Sequence, residues 1–458
     1  MNVQESHQYC NQHIALIGYG VTGKACADYL LAKGANLAIF DKADLSKQLS
    51  ENHQQASTHK LHEQSDLNAF DQVVVSPGVN LCQAFIQKFK ATGKSVIGDI
   101  ELFAVENTCP VIAVTGSNGK STVVDMLSKA IAAAGFKVGL GGNFGRSALT
   151  LLDQGFDYIV LELSSFQLES THSLQPKIAC VLNVSPDHID RHGSMQAYTD
   201  AKLSIYNKAE HVIYNRDDEK TFPPKYTNQT QASFGLQQIH SESATAPSLF
   251  QNAEGIWINT NLLLNAAKID NVNQHQLLNM QVVLACAMHL QLPLQTVVKS
   301  LSAYTGLAHR FERVLLEQGV EWINDSKATN PGACIAALES LVSKNKAIIL
   351  IAGGDSKGAD LSELTSFINQ HVSLLILMVK DKHLFTHTGV DFKLANNISQ
   401  CVEFAQTAAY DLKLSEGRDV AVLLSPACAS IDMFDNYQHR GNEFAQAVNV
   451  LAKEVVSP

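Results

Sequence analysis

No apolar run in this sequence approaches the length needed to cross a bilayer, which argues against a membrane-spanning helical protein. Nor does any pair of cysteines have the C-x-x-C spacing. The nine cysteines are scattered from Cys10 to Cys428, a pattern that fits reduced thiols rather than a disulfide framework or a zinc site. Residues Met1 to His13 are polar and lack the basic start and apolar centre of a signal peptide, so a cytoplasmic protein is expected. Positive charge is in short supply. Lys and Arg number 34 against 44 Asp and Glu, and the net charge of -10 argues against a nucleic-acid partner while leaving room for basic side chains at a small phosphorylated ligand. Internal repeats and low-complexity tracts are also missing. What remains is an ordinary globular composition, 46% hydrophobic and 17% charged, on a 458-residue chain too long for a single core. About three domains are expected.

The densest chemistry lies in Thr115-Gly116-Ser117-Asn118-Gly119-Lys120-Ser121-Thr122, placed between the apolar run Val111 to Val114 and a helical segment from Lys120 to Ala134. Strand, glycine-rich turn and helix in that order make a phosphate cradle. Backbone N–H groups close on phosphate oxygens, the helix N-terminus adds partial positive charge, Lys120 neutralises outer phosphates and the Ser121 hydroxyl can hold Mg²⁺. A nucleoside triphosphate is the expected ligand. The loop is shortened, because Val114 stands where the common eight-residue pattern has glycine.

Two more glycine turns precede it. Strand Ile14 to Ile17 runs into Gly18-Tyr19-Gly20-Val21-Thr22-Gly23, and a second strand, Leu37 to Phe40, ends at Asp41; this spacing suits a diphosphate at the turn and a ribose hydroxyl on Asp41. A third strand, Val73 to Val75, leads into Ser76-Pro77-Gly78. These motifs specify diphosphate and ribose, not nicotinamide. A nicotinamide-dependent oxidoreductase therefore stays open at this point, as does a phosphate-loop switch that acts by binding alone.

Further strands are expected at Lys137 to Leu140, Tyr158 to Leu163, Ile178 to Val184 and His211 to Asn215, with polar residues just beyond them where open α/β sheets bind ligands. Those residues include Asn143, Glu162, Ser164, Gln167 and the stretch Asp187-His188. Pro223 to Ala246 has no clear period and is expected to form loops or short antiparallel strands. Lys202 lies in an amphipathic helical stretch, where a solvated lysine is the ordinary reading. A last α/β unit contains Asn324-Asp325-Ser326-Lys327-Ala328-Thr329-Asn330 and strands Ala347 to Ile351, Leu374 to Val379 and Val420 to Leu424.

Taken together, the shortened loop, Gly98-Asp99-Ile100-Glu101-Leu102-Phe103, Leu161 to Gln167 and Asp187-His188 resemble the Mur ligases of peptidoglycan precursor synthesis. The segments Asn324 to Asn330, Ser425 to Ser430 and Arg440-Gly441-Asn442-Glu443-Phe444 resemble the branch that adds D-glutamate; Lys327 to Asn330 and Lys357 separate it from the L-alanine-adding branch. The resemblance implies a three-domain α/β architecture. Its parts are a Rossmann-like domain for the UDP substrate over residues 1–97, a central P-loop ATPase domain over 98–305 and a Rossmann-like amino-acid domain over 306–458. It implies an amide-forming ligase acting through an acyl phosphate, with ATP, D-glutamate and UDP-N-acetylmuramoyl-L-alanine as substrates and a monomeric state.

Site roles follow from the same resemblance. Gly116, Ser117, Asn118, Gly119, Lys120, Ser121, Thr122, Asn279, Arg310 and Asp325 meet the nucleotide, although Gln276 replaces the first Asn of the family's His-Asn-x-x-Asn pattern. Two Mg²⁺ sites are implied, with Ser121 and Glu162 at one and His188 and a CO₂-modified (carbamylated) Lys202 at the other. The catalytic residues are Lys120, His188 and Lys202. Val21, Thr22, Asp41, Ser76, Pro77, Gly78, Asn143, Ser164 and Gln167 serve the UDP substrate. D-glutamate falls to Thr329, Lys357, Ser430, Ile431 and Tyr437, the last standing where Phe is common.

Overall fold

The computed structural model describes residues 8–45, 48–224, 229–238, 247–269, 272–356, 359–378, 385, 388–430 and 433–456. Three sheets form, and the chain divides into two compact units. One unit comprises Met1–Val184, Gln196–Asp270 and Leu278–Ser302 and carries the first two sheets; the other comprises Ser185–Met195, Asn271–Leu277 and Ala303–Pro458 and carries the third. No described helix is long and apolar enough to cross a membrane.

The first sheet contains β1 (His13–Ile17), β2 (Asn36–Asp41), β3 (Ser57–Lys60), β4 (Gln72–Val75) and β5 (Val96–Gly98), in the order β3-β2-β1-β4-β5, all parallel. The chain steps to one side of β1 and then returns to the other. That reversal leaves a crevice beyond the carboxyl ends of β1 and β4, where open parallel sheets bind ligands. Ser76 closes its floor, donating its hydroxyl to the Gly18 carbonyl at 2.8 Å.

The second sheet contains β6 (Val111–Thr115), β7 (Val138–Gly142), β8 (Tyr158–Glu162), β9 (Ile178–Val181), β10 (His211–Asn215), β11 (Thr230–Phe234), β12 (Ser248–Asn252), β13 (Gly255–Ile258) and β14 (Asn261–Asn265). Its order is β14-β13-β12-β11-β10-β9-β6-β8-β7. The phosphate-turn strand β6 sits between β8 and β9 and is buried throughout, as a parallel strand covered on both faces must be. Beyond β10 the structure departs from the sequence expectation. Thr230–Phe234 joins the sheet in parallel to β10, and antiparallel pairing begins only between β12 and β13. Residues 225–228 and 239–246 of that stretch lie outside the described residues.

The third sheet contains β15 (Glu312–Glu317), β16 (Val320–Asn324), β17 (Ala347–Ala352), β18 (Leu374–Met378), β19 (Phe392–Ala395) and β20 (Val420–Leu424), in the order β15-β16-β20-β17-β18-β19. All neighbours are parallel except the β15–β16 hairpin. In β17 the alternate residues Ala347, Ile349 and Ile351 enter one core cluster, while Ile348, Leu350 and Ala352 enter another. A strand that buries both faces must read as a continuous apolar run, which is why Ala-Ile-Ile-Leu-Ile-Ala has no polar alternation. The hairpin turns on Gln318 (φ 50°) and Gly319 (φ 76°), the paired left-handed residues that a two-residue connection between twisted strands requires.

Candidate functional site

The phosphate turn is held by its neighbours at several points. Asn183, just past β9, takes the Ser117 N–H on its carbonyl at 2.9 Å and the Asn118 N–H on its side-chain oxygen at 2.8 Å. Its amide returns a bond to the Asn118 carbonyl at 3.1 Å. Gly119 enters the helix Lys120–Ala133 at φ 85°, and a Cβ there would lie 2.8 Å from the Asn279 side-chain oxygen, so Asn279 rests directly against the turn. Lys120 donates to the Gly116 and Ser117 carbonyls at 2.7 and 2.9 Å, which keeps its ammonium over the loop. Thr122 follows in the first helical turn.

Ser121, Glu162 and Asn143 form the polar centre beside that turn. The Ser121 hydroxyl donates to one Glu162 oxygen at 2.5 Å, and the Asn143 amide donates to the other at 2.7 Å. Glu162 is 2% exposed. Ser121 and Asn143 are neutral donors, so a buried carboxylate with an adjacent hydroxyl oxygen is an oxygen-rich setting of the kind that suits a hard divalent cation. The residues present therefore fit Mg²⁺.

Lys202 is not a solvated helix lysine. It is 2% exposed, bonds the Gly116 carbonyl at 2.8 Å and lies 4.5 Å from the centre of the Tyr198 ring. Tyr198 in turn pairs its hydroxyl with that of Ser117 at 2.9 Å, so the helix Met195–Leu203 docks on the phosphate turn through both residues. Amphipathic spacing could not reveal this, because the face that meets the turn carries polar side chains.

A cleft of about 560 Å³ opens in the same unit. Val21, Thr22, Asp41, Ser76, Pro77 and Gly78 line it from the first sheet, with Val21 87% exposed. Both Asp41 oxygens accept backbone N–H groups, from Tyr19 at 2.7 Å and Ala43 at 2.9 Å, so this carboxylate shapes the turn it follows. At the other end stand Asn143, Gln167 and Asp99. Ser164 caps the short helix Ser165–Leu168 in a reciprocal box with Gln167. The Gln167 amide then donates to Asp99 at 2.9 Å. Burial pushes the Asp99 carboxyl up to about 6, against the lowering influence of Gln167 and the N–H groups of Ile100 and Asp99 itself.

In the other unit, Asp325 follows β16 and accepts the Phe311 N–H at 3.1 Å and the Ser425 hydroxyl at 2.9 Å. Burial pushes its carboxyl up to about 7, opposed by those two bonds and by the charges of Arg310 and Arg440. Arg310 lies between two left-handed residues, His309 (φ 63°) and Phe311 (φ 50°), a conformation that side chains with Cβ atoms adopt only under constraint. Arg440 is wholly buried and donates to Ser326 and to the Cys428 carbonyl, tying the segments after β16 and β20 together. Thr329 is partly buried beyond β16, and Ser430 is buried beyond β20. Tyr437 opens the helix Tyr437–Val456, with the Lys327 ammonium 4.3 Å from its ring centre. His188 also belongs to this unit, at φ 54°, with its ring 3.6 Å from the Asp187 carboxylate. His275 pairs with Glu339 at 3.0 Å. Lys357 and Ile431 lie outside the described residues.

Sequence reasoning gave no role to Asn183, Asp99 or Arg440. Asn183 could have been sought by topology, since it follows a strand that neighbours β6. Asp99 and Arg440 were visible only as members of motifs.

A glycine-rich turn opening a helix at the carboxyl edge of a parallel sheet, beside a buried hydroxyl and carboxylate, defines a P-loop nucleotide-binding α/β protein. The family is narrower than that class. Residues 12–98 match the family described as "Mur ligase MurD-like, N-terminal domain", residues 114–287 the "Mur ligase middle domain" and residues 309–428 the "Mur ligase, glutamate ligase domain". The chain belongs to the Mur ligase family. It is 42% identical over 448 residues to "UDP-N-acetylmuramoylalanine--D-glutamate ligase" of Pseudoalteromonas translucida, covering 96% of this chain and 97% of that one. A protein of the same name from Saccharophagus degradans is 41% identical over 453 residues, covering 95% of this chain and 97% of its own. Among solved structures, a pseudomurein peptide ligase type C from Methanothermus fervidus shares the fold with a TM-score of 0.60 at 15% identity, covering 96% of this chain and all of that one. A MurF ligase from Thermotoga maritima gives a TM-score of 0.58 at 16% identity, covering 97% of each chain.

Proposed function

We infer that this chain joins D-glutamate to the alanyl carboxylate of UDP-N-acetylmuramoyl-L-alanine, consuming ATP and releasing ADP and phosphate in peptidoglycan precursor synthesis. The carrying observation is identity of about two residues in five, along nearly the whole chain, to ligases named for that reaction. The geometry supports the chemistry. A carboxylate becomes reactive toward an amine once it takes the γ-phosphate as an acyl phosphate, and bringing these anions together demands fixed positive charge. Lys120 supplies it at the turn. Ser121 and Glu162 would hold Mg²⁺, which when bound offsets phosphate charge.

Roles for the other residues are part of the same proposal. Residues 1–97 take the UDP substrate, 98–305 ATP and 306–458 the amino acid. Gly116 to Thr122, Asn279, Arg310 and Asp325 bind the nucleotide. The cleft residues Val21, Thr22, Asp41, Ser76 to Gly78, Asn143 and Gln167, with Ser164 behind them, orient the acceptor. Thr329, Lys357, Ser430, Ile431 and Tyr437 receive D-glutamate, whose second carboxylate needs placed donors to be told from a neutral side chain. Lys202, buried against the turn, carries the carbamate that would serve a second Mg²⁺ together with His188. The protein works as a cytoplasmic monomer without nucleic acid or membrane. Phosphate release from ATP, measured across a panel of amino acids with UDP-N-acetylmuramoyl-L-alanine, tests the whole reading. Release should require both the acceptor and D-glutamate; equal release without either would overturn it.

A further inference from the structure

Asp99 is the feature of the cleft that the proposed chemistry leaves unused. It is 2% exposed, it lines the cleft, and its Oδ2 accepts the Gln167 amide, while its Oδ1 makes no hydrogen bond of full geometry and the N–H groups of Ile100 and Asp99 only act on the carboxyl from nearby. Ser147, another lining residue, also has a buried hydroxyl without a partner. Buried acceptors left unmade are rare in folded proteins and are costly, so one that faces a cleft calls for a donor from a ligand. The orientation of Gln167 is set from both ends, since its carbonyl accepts the Ser164 N–H at 3.1 Å and its amide is committed to Asp99. Asn143, at the same end of the cleft, is bonded to Glu162 beside the phosphate turn. This end is therefore where the acceptor's reacting carboxylate must arrive, and the muramoyl-alanyl part would lie across it.

We propose that Asp99 is a specificity-determining residue whose Oδ1 receives a hydrogen bond from a donor on the muramoyl-alanyl part of the acceptor, while Gln167 fixes its other oxygen. The proposal rests on the acceptor inferred above. Burial holds the Asp99 carboxyl up near 6, which marks a charge the fold tolerates poorly by itself and a ligand donor would relieve.

Asp99→Asn tests this, because an amide oxygen can still accept from Gln167 while the free position changes from acceptor to donor. Calorimetric binding is measured with UDP, UDP-N-acetylmuramate and UDP-N-acetylmuramoyl-L-alanine. Affinity for UDP should be unchanged, and affinity for the full acceptor should fall about ten- to a hundredfold, the scale of one hydrogen bond to a charged group. A matching fall for UDP-N-acetylmuramate assigns the donor to the sugar side; a fall confined to the alanyl compound assigns it to the alanyl amide. The melting temperature of the variant should not drop. Equal affinity of parent and variant for all three probes overturns the role of Asp99, as does a loss shared by UDP or a fall in melting temperature that weakens every ligand alike. If the parent itself binds neither muramoyl compound, the functional reading fails instead. Should the amide variant not fold, Asp99→Ser carries the same measurement.

Discussion

Replacing Glu162 by Gln separates the charge of this residue from its place in the fold. The parent carboxylate accepts two bonds, from Ser121 at 2.5 Å and from Asn143 at 2.7 Å. A glutamine of the same shape keeps one acceptor and gains a donor. Its oxygen must face Asn143, because two amide NH₂ groups would otherwise oppose each other, and its NH₂ then faces Ser121, whose hydroxyl can rotate to accept. Both contacts survive, so the stability change should stay near 1 kcal/mol, the net scale of one neutral hydrogen bond. The negative charge, however, is gone. A site built from a serine hydroxyl and one carboxylate loses its only fixed anion, and turnover at limiting Mg²⁺ should fall on the order of a hundredfold, as for the loss of one electrostatic stabiliser. The assay is phosphate release against Mg²⁺ concentration, with thermal unfolding run in parallel. An unchanged Mg²⁺ dependence in a variant that melts like its parent would refute the assignment of Glu162 to the metal.

Three other outcomes are expected. Gly119→Ala forces a Cβ into a left-handed residue and to within 2.8 Å of the Asn279 oxygen, so stability should drop by about 1–2 kcal/mol and ATP should bind more weakly; normal ATP saturation would contradict the placement of the turn against Asn279. Lys202→Ala removes a buried side chain bonded to the Gly116 carbonyl and should cost on the order of a hundredfold or more in turnover, with partial rescue by formate or acetate if a carbamate is the working form. Full activity of that variant would return Lys202 to a structural role. Asp99 also links stability to pH. Its carboxyl rises from an ordinary 3.8 to about 6 in the fold, so the native state holds the proton that the unfolded chain releases, and this group's contribution to stability is lost as pH rises between those values. The Asp99→Asn protein should match its parent near pH 4 and exceed it by up to about 3 kcal/mol above pH 6, and denaturant titrations showing no such divergence would count against a buried, ionisable Asp99.

The phosphate turn was legible because its chemistry is local. Backbone N–H groups, Lys120 and Ser121 act within a few residues of one another, and the flanking strand and helix announce themselves by apolar runs. The parallel strands of the third sheet were legible for a related reason, since burial on both faces makes β17 and β20 apolar throughout. Edge elements were not. Strand β15 is only partly buried, so Glu-Arg-Val-Leu-Leu-Glu offers no clean alternation, and its one local signal is the Gln318-Gly319 turn. Strand β11 shows the same difficulty in another form, because Thr-Gln-Ala-Ser-Phe gains its burial from neighbours brought in by β10 and β12.

Long-range polar pairs were the least visible of all. Lys202 meets the Gly116 carbonyl across 86 residues of chain, Gln167 meets Asp99 across 68, and Asn183 meets Asn118 across 65. No periodicity encodes such a pair, because each side chain is an ordinary polar residue on its own element. What selects them is position at the carboxyl edges of strands or on a helix packed against that edge, where backbone groups of turns remain to be satisfied. The sequence therefore names the chemistry of the turn, while the fold decides which distant polar side chains become its second layer. Substitutions at Lys202 and Asn183 should change ligand binding or turnover before they change stability, since each bonds the phosphate turn rather than filling a core, whereas Asp99, a buried carboxyl, changes both.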